Sequence, residues 1–323
     1  METQYKIAVV GLGLMGQSIT SCILPSSSEV IAFDKNTTQN SIALNNIKNN
    51  LREQKNEGII DEDPHSLLSK LTISHTIEKI RKCDIIIETI SENIDQKIAL
   101  LLQLENIVDS GALICSNTSA IPVSLLQKDM QFPERVFGLH WAEPAHITRF
   151  MEIICGDKSD STHLSTLLNL AKKWEKEPSV LHKDIRGFIA NRIMYAMLRE
   201  AFFLVENGYA TFESVDRSLR NDVGYWISFA GPFRFMDLTG IPAYLAVMKD
   251  LFPELNNSTK PPALMEKIVS EGALGIKNGK GFYTYSRESR QKWEELFTSF
   301  TYDIRKLTHK YSTEKIKQSS EKY

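Results

Sequence analysis

The sequence of 323 residues lacks long apolar runs, a strong charge of either sign and paired cysteines. No stretch approaches the roughly eighteen apolar residues of a membrane helix, so we expect no membrane partner. The formal charge of -2 is too small to attract nucleic acid over a whole surface, and none is expected as a partner. The four cysteines form no CxxC pair, and METQYKIAVVG has no signal-peptide pattern, so we predict reduced thiols and a cytoplasmic location.

The first motif present is an apolar run, YKIAVV, that leads into GLGLMG. Gly11 allows a tight turn, Gly13 lets the backbone approach a pyrophosphate, and Gly16 lets the following helix pack against the strand. The next apolar run ends in Asp34, which can accept both ribose hydroxyls of an adenosine and disfavours a 2′-phosphate. The pattern therefore predicts a dinucleotide-binding fold that takes NAD rather than NADP.

Five further apolar runs predict strands of one parallel sheet, at residues 84–89, 112–119, 136–141, 149–156 and 179–184. From Gly187 onward the strand signals stop, and the apolar residues take helical spacing. We therefore predict an α/β fold with three parts. They are a Rossmann-type doubly wound sheet domain over residues 1–184, an all-helical domain over 185–286, and a helical extension with a polar tail over 287–323.

Residues 37–60 have the periodicity of a helix, whose predicted inward-facing residues include Ile42, Leu44, Ile47 and Leu51. The same helix carries three basic residues on one face, Lys48, Arg52 and Lys55. They could bind an acidic ligand such as a phosphorylated carrier, or they could form an ordinary solvated face. Both interpretations stay open.

Eight ordered motifs over residues 4–286 resemble those of the L-3-hydroxyacyl-CoA dehydrogenase family. They are GLGLMG with Asp34, ETISEN (88–93), SNTS (116–119), GLHW followed by EP, MEII (151–154), GFIANR (187–192), GPF with DLTG (231–240), and GKGFYTY. The resemblance implies NAD as cofactor and reversible oxidation of an L-3-hydroxyacyl-CoA to a 3-oxoacyl-CoA, in fatty acid metabolism. It also implies a homodimer formed through the helical domain.

The reactive residues of that family fall on Ser119, His140, Glu152 and Asn191 in this sequence. Oxidation of an alcohol needs a base, and imidazole, with an ordinary pKa of about 6.5, suits that task near neutral pH. The resemblance therefore implies His140 as base, Glu152 as the group that orients it, and Ser119 and Asn191 as holders of the substrate oxygen. The implied cofactor contacts are Gly11, Gly13, Gly16, Asp34, Glu92, Lys97 and Asn117.

The run after His140 departs from the family pattern, because Glu143 stands where an asparagine is usual and His146 is also unusual. Glu143 either faces the pocket, where it would disfavour an anionic substrate, or is a surface residue at a strand end. Lys48, Arg52, Lys55 and Glu143 are thus the candidate substrate residues.

Three alternatives remain. One is an NAD-dependent dehydrogenase of a free hydroxy acid, such as a sugar acid, and another is a non-catalytic relative resembling a lens crystallin. The third, a metal hydrolase, is suggested by the density of histidine and glutamate in GLHWAEPAH. It is disfavoured because HxxExxH spans a proline-containing turn rather than one helix face, so no metal is expected.

Overall fold

The computed structural model describes residues 4–311. The chain divides into two compact units, the first running to Asn191 and the second starting at Arg192. The strands all lie in the first unit and are β1 (Lys6–Val10), β2 (Glu29–Phe33), β3 (Leu71–Ser74), β4 (Ile85–Glu88), β5 (Leu113–Ser116), β6 (Val136–Trp141), β7 (Phe150–Cys155) and β8 (Glu177–Leu181). Its helices are α1 (Leu14–Ile23), α2 (Thr37–Asn56), α3 (Pro64–Leu68), α4 (Ile94–Ile107), α5 (Val123–Leu126) and α6 (Leu164–Lys173).

The strands form one sheet in the order β3-β2-β1-β4-β5-β6-β7-β8, which confirms the predicted Rossmann-type fold. All neighbouring strands are parallel except β6 and β7, which are antiparallel, so the prediction of a wholly parallel sheet was wrong. The reason is the connection over residues 142–149, which is shorter than the dozen or so residues that a parallel crossover needs. The short strand β3 was not predicted.

The sheet separates two hydrophobic cores, and successive residues of β1 enter opposite ones. Ile7 and Val9 pack in the first core, whereas Ala8 and Val10 pack in the second. This alternation follows from the two-residue period of a strand. Because both faces are covered, the carboxyl ends of the parallel strands are the edge left to bind a ligand.

The predicted helix over residues 37–60 is α2, but its inward face differs from the prediction. Ile47 and Leu51 are buried, whereas Ile42 and Leu44 are 49% and 47% exposed. The buried stripe recurs every three or four residues and consists of Asn40, Ala43, Ile47 and Leu51. Ile42 lies outside that stripe, so the polar Asn40 rather than Ile42 faces the core.

The second unit is helical, as predicted. Its helices are α7 (Ala190–Glu206, which begins in the last residues of the first unit), α8 (Phe212–Asn221), α9 (Val223–Ile227), α10 (Gly231–Thr239), α11 (Ile241–Leu251), α12 (Ala263–Ser270) and α13 (Arg287–Lys310). Thr211 caps α8 by accepting a hydrogen bond from the Ser214 amide. Between residues 192 and 311 only Gly279 and Tyr302 are buried. The predicted polar tail lies outside the described residues from position 312 on, and within residues 4–311 no helix is long and apolar enough to cross a membrane.

Candidate active site

A cavity of about 860 Å³ opens at the carboxyl ends of β1, β2 and β4. Gly11, Gly13 and Asp34, three of the predicted cofactor residues, line it. One carboxylate oxygen of Asp34 accepts a hydrogen bond from the Leu12 amide and the other from the Asn36 amide, each at 2.8 Å. The carboxylate is therefore fixed at the cavity wall, and its remaining lone pairs can accept ribose hydroxyls.

The glycine loop between β1 and α1 fits a pyrophosphate. A Cβ at Gly16 would lie 1.9 Å from the Gly11 carbonyl oxygen, so only glycine allows α1 to pack this closely. A Cβ at Gly13 would meet nothing within 4 Å, which leaves open space at the first turn of α1. Gly13 is the N-cap of α1 and provides no side-chain acceptor for the first amides. Those N–H groups can therefore bind phosphate oxygens, as a dinucleotide requires.

A buried ion pair joins the end of β4 to α4. The Lys97 ammonium donates to Glu88 Oε1 at 2.7 Å, and both side chains are 0% exposed. Ser116 Oγ also donates to Glu88, at 2.5 Å, while Glu92 Oε2 lies 3.6 Å from the ammonium. Lys97 was predicted near the nicotinamide ribose, but its side chain is 0% exposed, and its ammonium contacts Glu92 and the carbonyl of the cavity-lining Ile90.

Glu92 holds the loop that carries Ser119. Its Oε1 accepts hydrogen bonds from Thr118 Oγ1 at 2.6 Å and from the amides of Ser119 and Ala120 at 2.9 and 3.1 Å. Burial alone would raise the pKa of Glu92, but the Thr118 hydroxyl, the Lys97 ammonium and the two amides lower it below its ordinary value. Glu92 is therefore an ionised anchor for the SNTS loop.

His140 and Glu152 stand opposite each other in the antiparallel pair of β6 and β7. The imidazole Nδ1 lies 2.7 Å from Glu152 Oε2, and both side chains are buried. Because Nδ1 is engaged by the carboxylate, Nε2 is the ring nitrogen left for a substrate hydroxyl. The rings of Phe150 and Phe188 flank the imidazole, with centroids 5.3 and 5.7 Å away.

The second carboxylate oxygen of Glu152 accepts hydrogen bonds from the amides of Ile189 and Ala190, both at 3.0 Å. Burial alone would raise the pKa of Glu152, but the His140 hydrogen bond and these amides lower it below its ordinary value. The carboxylate therefore stays ionised, and it fixes the orientation of the imidazole.

The remaining predicted catalytic residues lie close together in the chain's first unit. Asn191 Nδ2 donates to the Ser119 backbone carbonyl at 2.8 Å, which joins the first turn of α7 to the SNTS loop. Asn117 Oδ1 accepts a hydrogen bond from the Trp141 amide at 3.0 Å, next to His140. Asn117 is largely buried and braces β6, whereas the Ser119 side chain is exposed.

Glu143 and His146, the unusual residues after His140, lie in different environments. Glu143 is exposed at the turn, where it precedes Pro144 in a cis peptide bond. His146 is buried, and both its Nδ1 and its amide contact Ser18 Oγ in α1, at 2.7 and 3.1 Å. His146 therefore ties the loop to the helix that follows the glycine turn. Within residues 4–311 no three metal-ligating side chains are grouped as a metal site requires.

The basic residues of α2 line a second cleft of about 740 Å³ beside α3. Lys48, Arg52 and Lys55 share its wall with Leu44 and His65. The Lys55 ammonium donates to the Asp61 carbonyl, and the three basic residues share the cleft with one acidic lining residue, Asp63. The cleft can thus receive an anionic group of substantial size.

Three residues that shape the site were not predicted: Glu88, Ser18 and Phe188. Glu88 had a signal, because an acid at the end of an isoleucine-rich buried strand needs a cationic partner. Ser18 and Phe188 had none, since their roles depend on partners distant in sequence and on backbone conformation.

Two family models match the chain. Residues 6–185 match the 3-hydroxyacyl-CoA dehydrogenase NAD binding domain, and residues 187–285 match the 3-hydroxyacyl-CoA dehydrogenase C-terminal domain. Among curated relatives, a 5-formyl-3-hydroxy-2-methylpyridine 4-carboxylate 5-dehydrogenase of Mesorhizobium japonicum is 30% identical over 88% of this chain and 91% of its own. A probable 3-hydroxybutyryl-CoA dehydrogenase of Bacillus subtilis is 29% identical over 88% of this chain and 98% of its own.

Solved structures give the same two kinds of relative. One is the crystal structure of a 5-formyl-3-hydroxy-2-methylpyridine 4-carboxylic acid 5-dehydrogenase, described as an NAD+ dependent dismutase. It matches with a TM-score of 0.89 and 27% identity, over 95% of this chain and 99% of its own. The (S)-3-hydroxybutyryl-CoA dehydrogenase of Ralstonia eutropha has a TM-score of 0.73 and 28% identity, with 88% and 100% covered.

Proposed function

Because the chain belongs to the 3-hydroxyacyl-CoA dehydrogenase family and is an NAD-dependent dehydrogenase, we propose that it oxidises L-3-hydroxyacyl-CoA reversibly to 3-oxoacyl-CoA. The observation that carries this proposal is the buried His140–Glu152 pair, with Nδ1 and Oε2 2.7 Å apart. The pair leaves Nε2 of the imidazole available to accept a hydroxyl proton. It lies in the part of the chain that matches the NAD binding domain. Such an enzyme would act in fatty acid metabolism.

In this proposal the residues of the chain manage the proton and the substrate oxygen. Bound NAD supplies the hydride acceptor for the carbinol carbon. His140 Nε2 takes the hydroxyl proton as the C–O bond becomes a carbonyl, and it returns the proton in the reverse direction. Glu152 stabilises the imidazolium, while Ser119 and Asn191 donate hydrogen bonds to the oxygen as its charge changes.

NAD would be held by the residues that line the first cavity and its edge. The amides of the Gly11–Gly16 loop would bind the pyrophosphate, and Asp34 would accept the adenosine ribose hydroxyls. Glu92 and Asn117 would lie nearest the nicotinamide ribose. Lys97 would act indirectly, through Glu92, because the ammonium is 3.6 Å from that carboxylate.

The basic cleft supports a CoA thioester as substrate. CoA carries phosphate groups, and Lys48, Arg52 and Lys55 present three cations to one cleft. The exposed Glu143 would stay outside this contact. A free acid is a second candidate, because a relative with a TM-score of 0.89 is named for a pyridine carboxylate that carries no CoA.

NADH formation with 3-hydroxybutyryl-CoA and with free 3-hydroxybutyrate separates the two candidates. We expect turnover of the thioester, and a Lys48→Ala/Arg52→Ala variant to raise KM for it about tenfold at unchanged kcat. A Lys79→Ala/Arg81→Ala variant removes the same charge from exposed residues outside the cleft and serves as the control. Turnover of the free acid alone would remove the CoA assignment, and equal KM values in both variants would remove the cleft from it.

We further propose that residues 1–184 bind NAD, that residues 185–286 serve substrate binding and dimerisation, and that 287–323 form an extension. The exposed apolar side chains of the second unit support a homodimer. The four cysteines are free and buried, which supports a reducing, cytoplasmic location. A non-catalytic, crystallin-like role would instead be supported by absence of turnover with every hydroxy substrate.

A further inference from the structure

The chain makes a left-handed turn immediately before α7. Gly187 and Phe188 have φ angles of +80° and +48°. Glycine adopts this region freely, but a bulky L residue such as phenylalanine does so only at a cost. Backbone hydrogen bonds close the turn, from the Gly187 amide to the Ala120 carbonyl and from the Phe188 amide to the Ile185 carbonyl.

The side chain of Phe188 shows what keeps the residue in that conformation. It is 0% exposed and belongs to the second core, with Ile121, Val123 and Leu181 among the buried members. Its ring centroid also lies 5.7 Å from the His140 imidazole, at an interplanar angle of 54°. Burial of the ring therefore offsets the unfavourable backbone, and the ring forms one wall against the imidazole.

The turn also directs the next two amides. The N–H groups of Ile189 and Ala190 both point to Glu152 Oε1 at 3.0 Å, while Oε2 of the same carboxylate binds His140. One short segment thus touches both members of the pair, the imidazole through a ring and the carboxylate through two amides. An extended Phe188 would turn those amides away.

We propose that Phe188 is a positioning residue of the catalytic pair. Its buried ring maintains the left-handed turn that directs two amides to Glu152, and the same ring packs against His140. The role of the pair in catalysis rests on the proposed function, but the positioning itself does not. Strained residues that the surrounding structure holds in place cluster at active sites, as this one does. Phe188 does not line the cofactor cavity.

Phe150 provides the matched control. Its ring lies 5.3 Å from the same imidazole, yet it is the first residue of strand β7, and its backbone makes no turn toward Glu152. At Phe150, whose backbone makes no left-handed turn, glycine is the worse replacement because it is the more flexible residue. At position 188 glycine keeps the turn without strain and alanine does not, so a turn that fixes the pair predicts loss of the His140–Glu152 hydrogen bond in Phe188→Ala alone. A ring that merely packs predicts that this hydrogen bond survives both replacements.

The test compares Phe188→Gly, Phe188→Ala, Phe150→Gly and Phe150→Ala. We expect kcat to fall about tenfold in Phe188→Gly and about a hundredfold in Phe188→Ala. At position 150 we expect the opposite order, with a lower kcat in Phe150→Gly than in Phe150→Ala. The second readout is the downfield proton resonance of the imidazole Nδ1–H bound to Glu152, assigned by its loss in His140→Gln. It should persist in Phe188→Gly and disappear in Phe188→Ala.

Alanine as active as glycine at position 188, or an unchanged resonance in Phe188→Ala, would overturn the proposal. Where Phe188→Ala does not fold, Phe188→Leu takes its place, with a shifted resonance and a several-fold lower kcat expected and wild-type values contradicting the proposal. The resonance needs no substrate. If the wild-type protein turns over no hydroxyacyl substrate, the proposed function fails while the resonance still decides the role of Phe188.

Discussion

The two units of the chain differ most in how they treat apolar side chains. The first unit buries them in two cores, one on each face of the sheet, whereas residues 192–311 contain only Gly279 and Tyr302 as buried residues. Phe233 and Tyr225 of the second unit are 78% and 76% exposed. The first unit therefore has hydrophobic cores of its own, whereas the second exposes many apolar side chains.

The candidate catalytic residues and the proposed dimer surface also lie in different units. His140, Glu152, Ser119 and Asn191 all lie in the first unit, where hydrogen bonds from several strands and loops fix them. Such rigidity is what a general base needs, because small displacements of a base reduce catalysis strongly. We propose that the second unit contributes the homodimer surface.

Loss of the base should have the largest effect. His140→Gln is expected to lower kcat by about a thousandfold, since glutamine cannot accept the hydroxyl proton at neutral pH. NADH absorbance measures the loss, and NAD binding should stay within about twofold of wild type. His182→Gln, an exposed histidine of the same unit, is the matched control and should leave kcat unchanged. Undiminished turnover in His140→Gln would break the assignment of chemistry to this pair.

Removal of one partner of the buried ion pair should destabilise the first unit. Lys97→Met leaves the Glu88 carboxylate charged and buried, so we expect the free energy of unfolding in urea to fall by about 3 kcal/mol. Lys6→Met breaks the partly exposed pair with Glu29, whose atoms are 2.8 Å apart, and should cost less than about 1 kcal/mol. Equal losses in the two variants would contradict the burial argument.

Charges on the exposed apolar surface of the second unit should dissociate the proposed homodimer. A Phe233→Asp/Leu245→Asp variant is expected to raise the dimer dissociation constant about thirtyfold, which corresponds to ~2 kcal/mol. Sedimentation measures it. Ile42→Asp places the same charge on an exposed apolar residue of the first unit and should leave the dimer intact. Dissociation by Ile42→Asp alone would place the interface in the first unit and contradict the prediction.

The smallest predicted effect is a loss of folding stability at acidic pH. The folded pKa of Glu152 lies below its usual value of 4.5, so its contribution to stability is present above that value and is lost as pH falls through the lowered pKa. Wild type should therefore lose more stability than Glu152→Gln between pH 5 and about pH 3 in urea titrations. Parallel losses in both proteins would show that Glu152 is not the group responsible.

Sequence motifs predicted the glycine loop, Asp34 and the general architecture, because turn chemistry and strand patterns are local properties. The direction of β7 was missed, since it depends on a short connection rather than on the residues of the strand. Ile42 was misplaced because an apolar residue beside a buried stripe satisfies a periodicity without facing the core. Phe188 could not be predicted, because its left-handed backbone is maintained by a core assembled from distant segments.

The proposed reaction transfers a hydride from C3 of a hydroxyacyl-CoA to NAD, while the His140–Glu152 pair takes the hydroxyl proton. The direct measurement is a competition between 3-hydroxybutyryl-CoA deuterated at C3 and unlabelled free 3-hydroxybutyrate, with the reduced cofactor analysed by mass spectrometry. We expect deuterium in the reduced cofactor, at a rate about a thousandfold lower in His140→Gln. Reduced cofactor without deuterium, or the same rate of labelling in His140→Gln, would refute the proposed reaction.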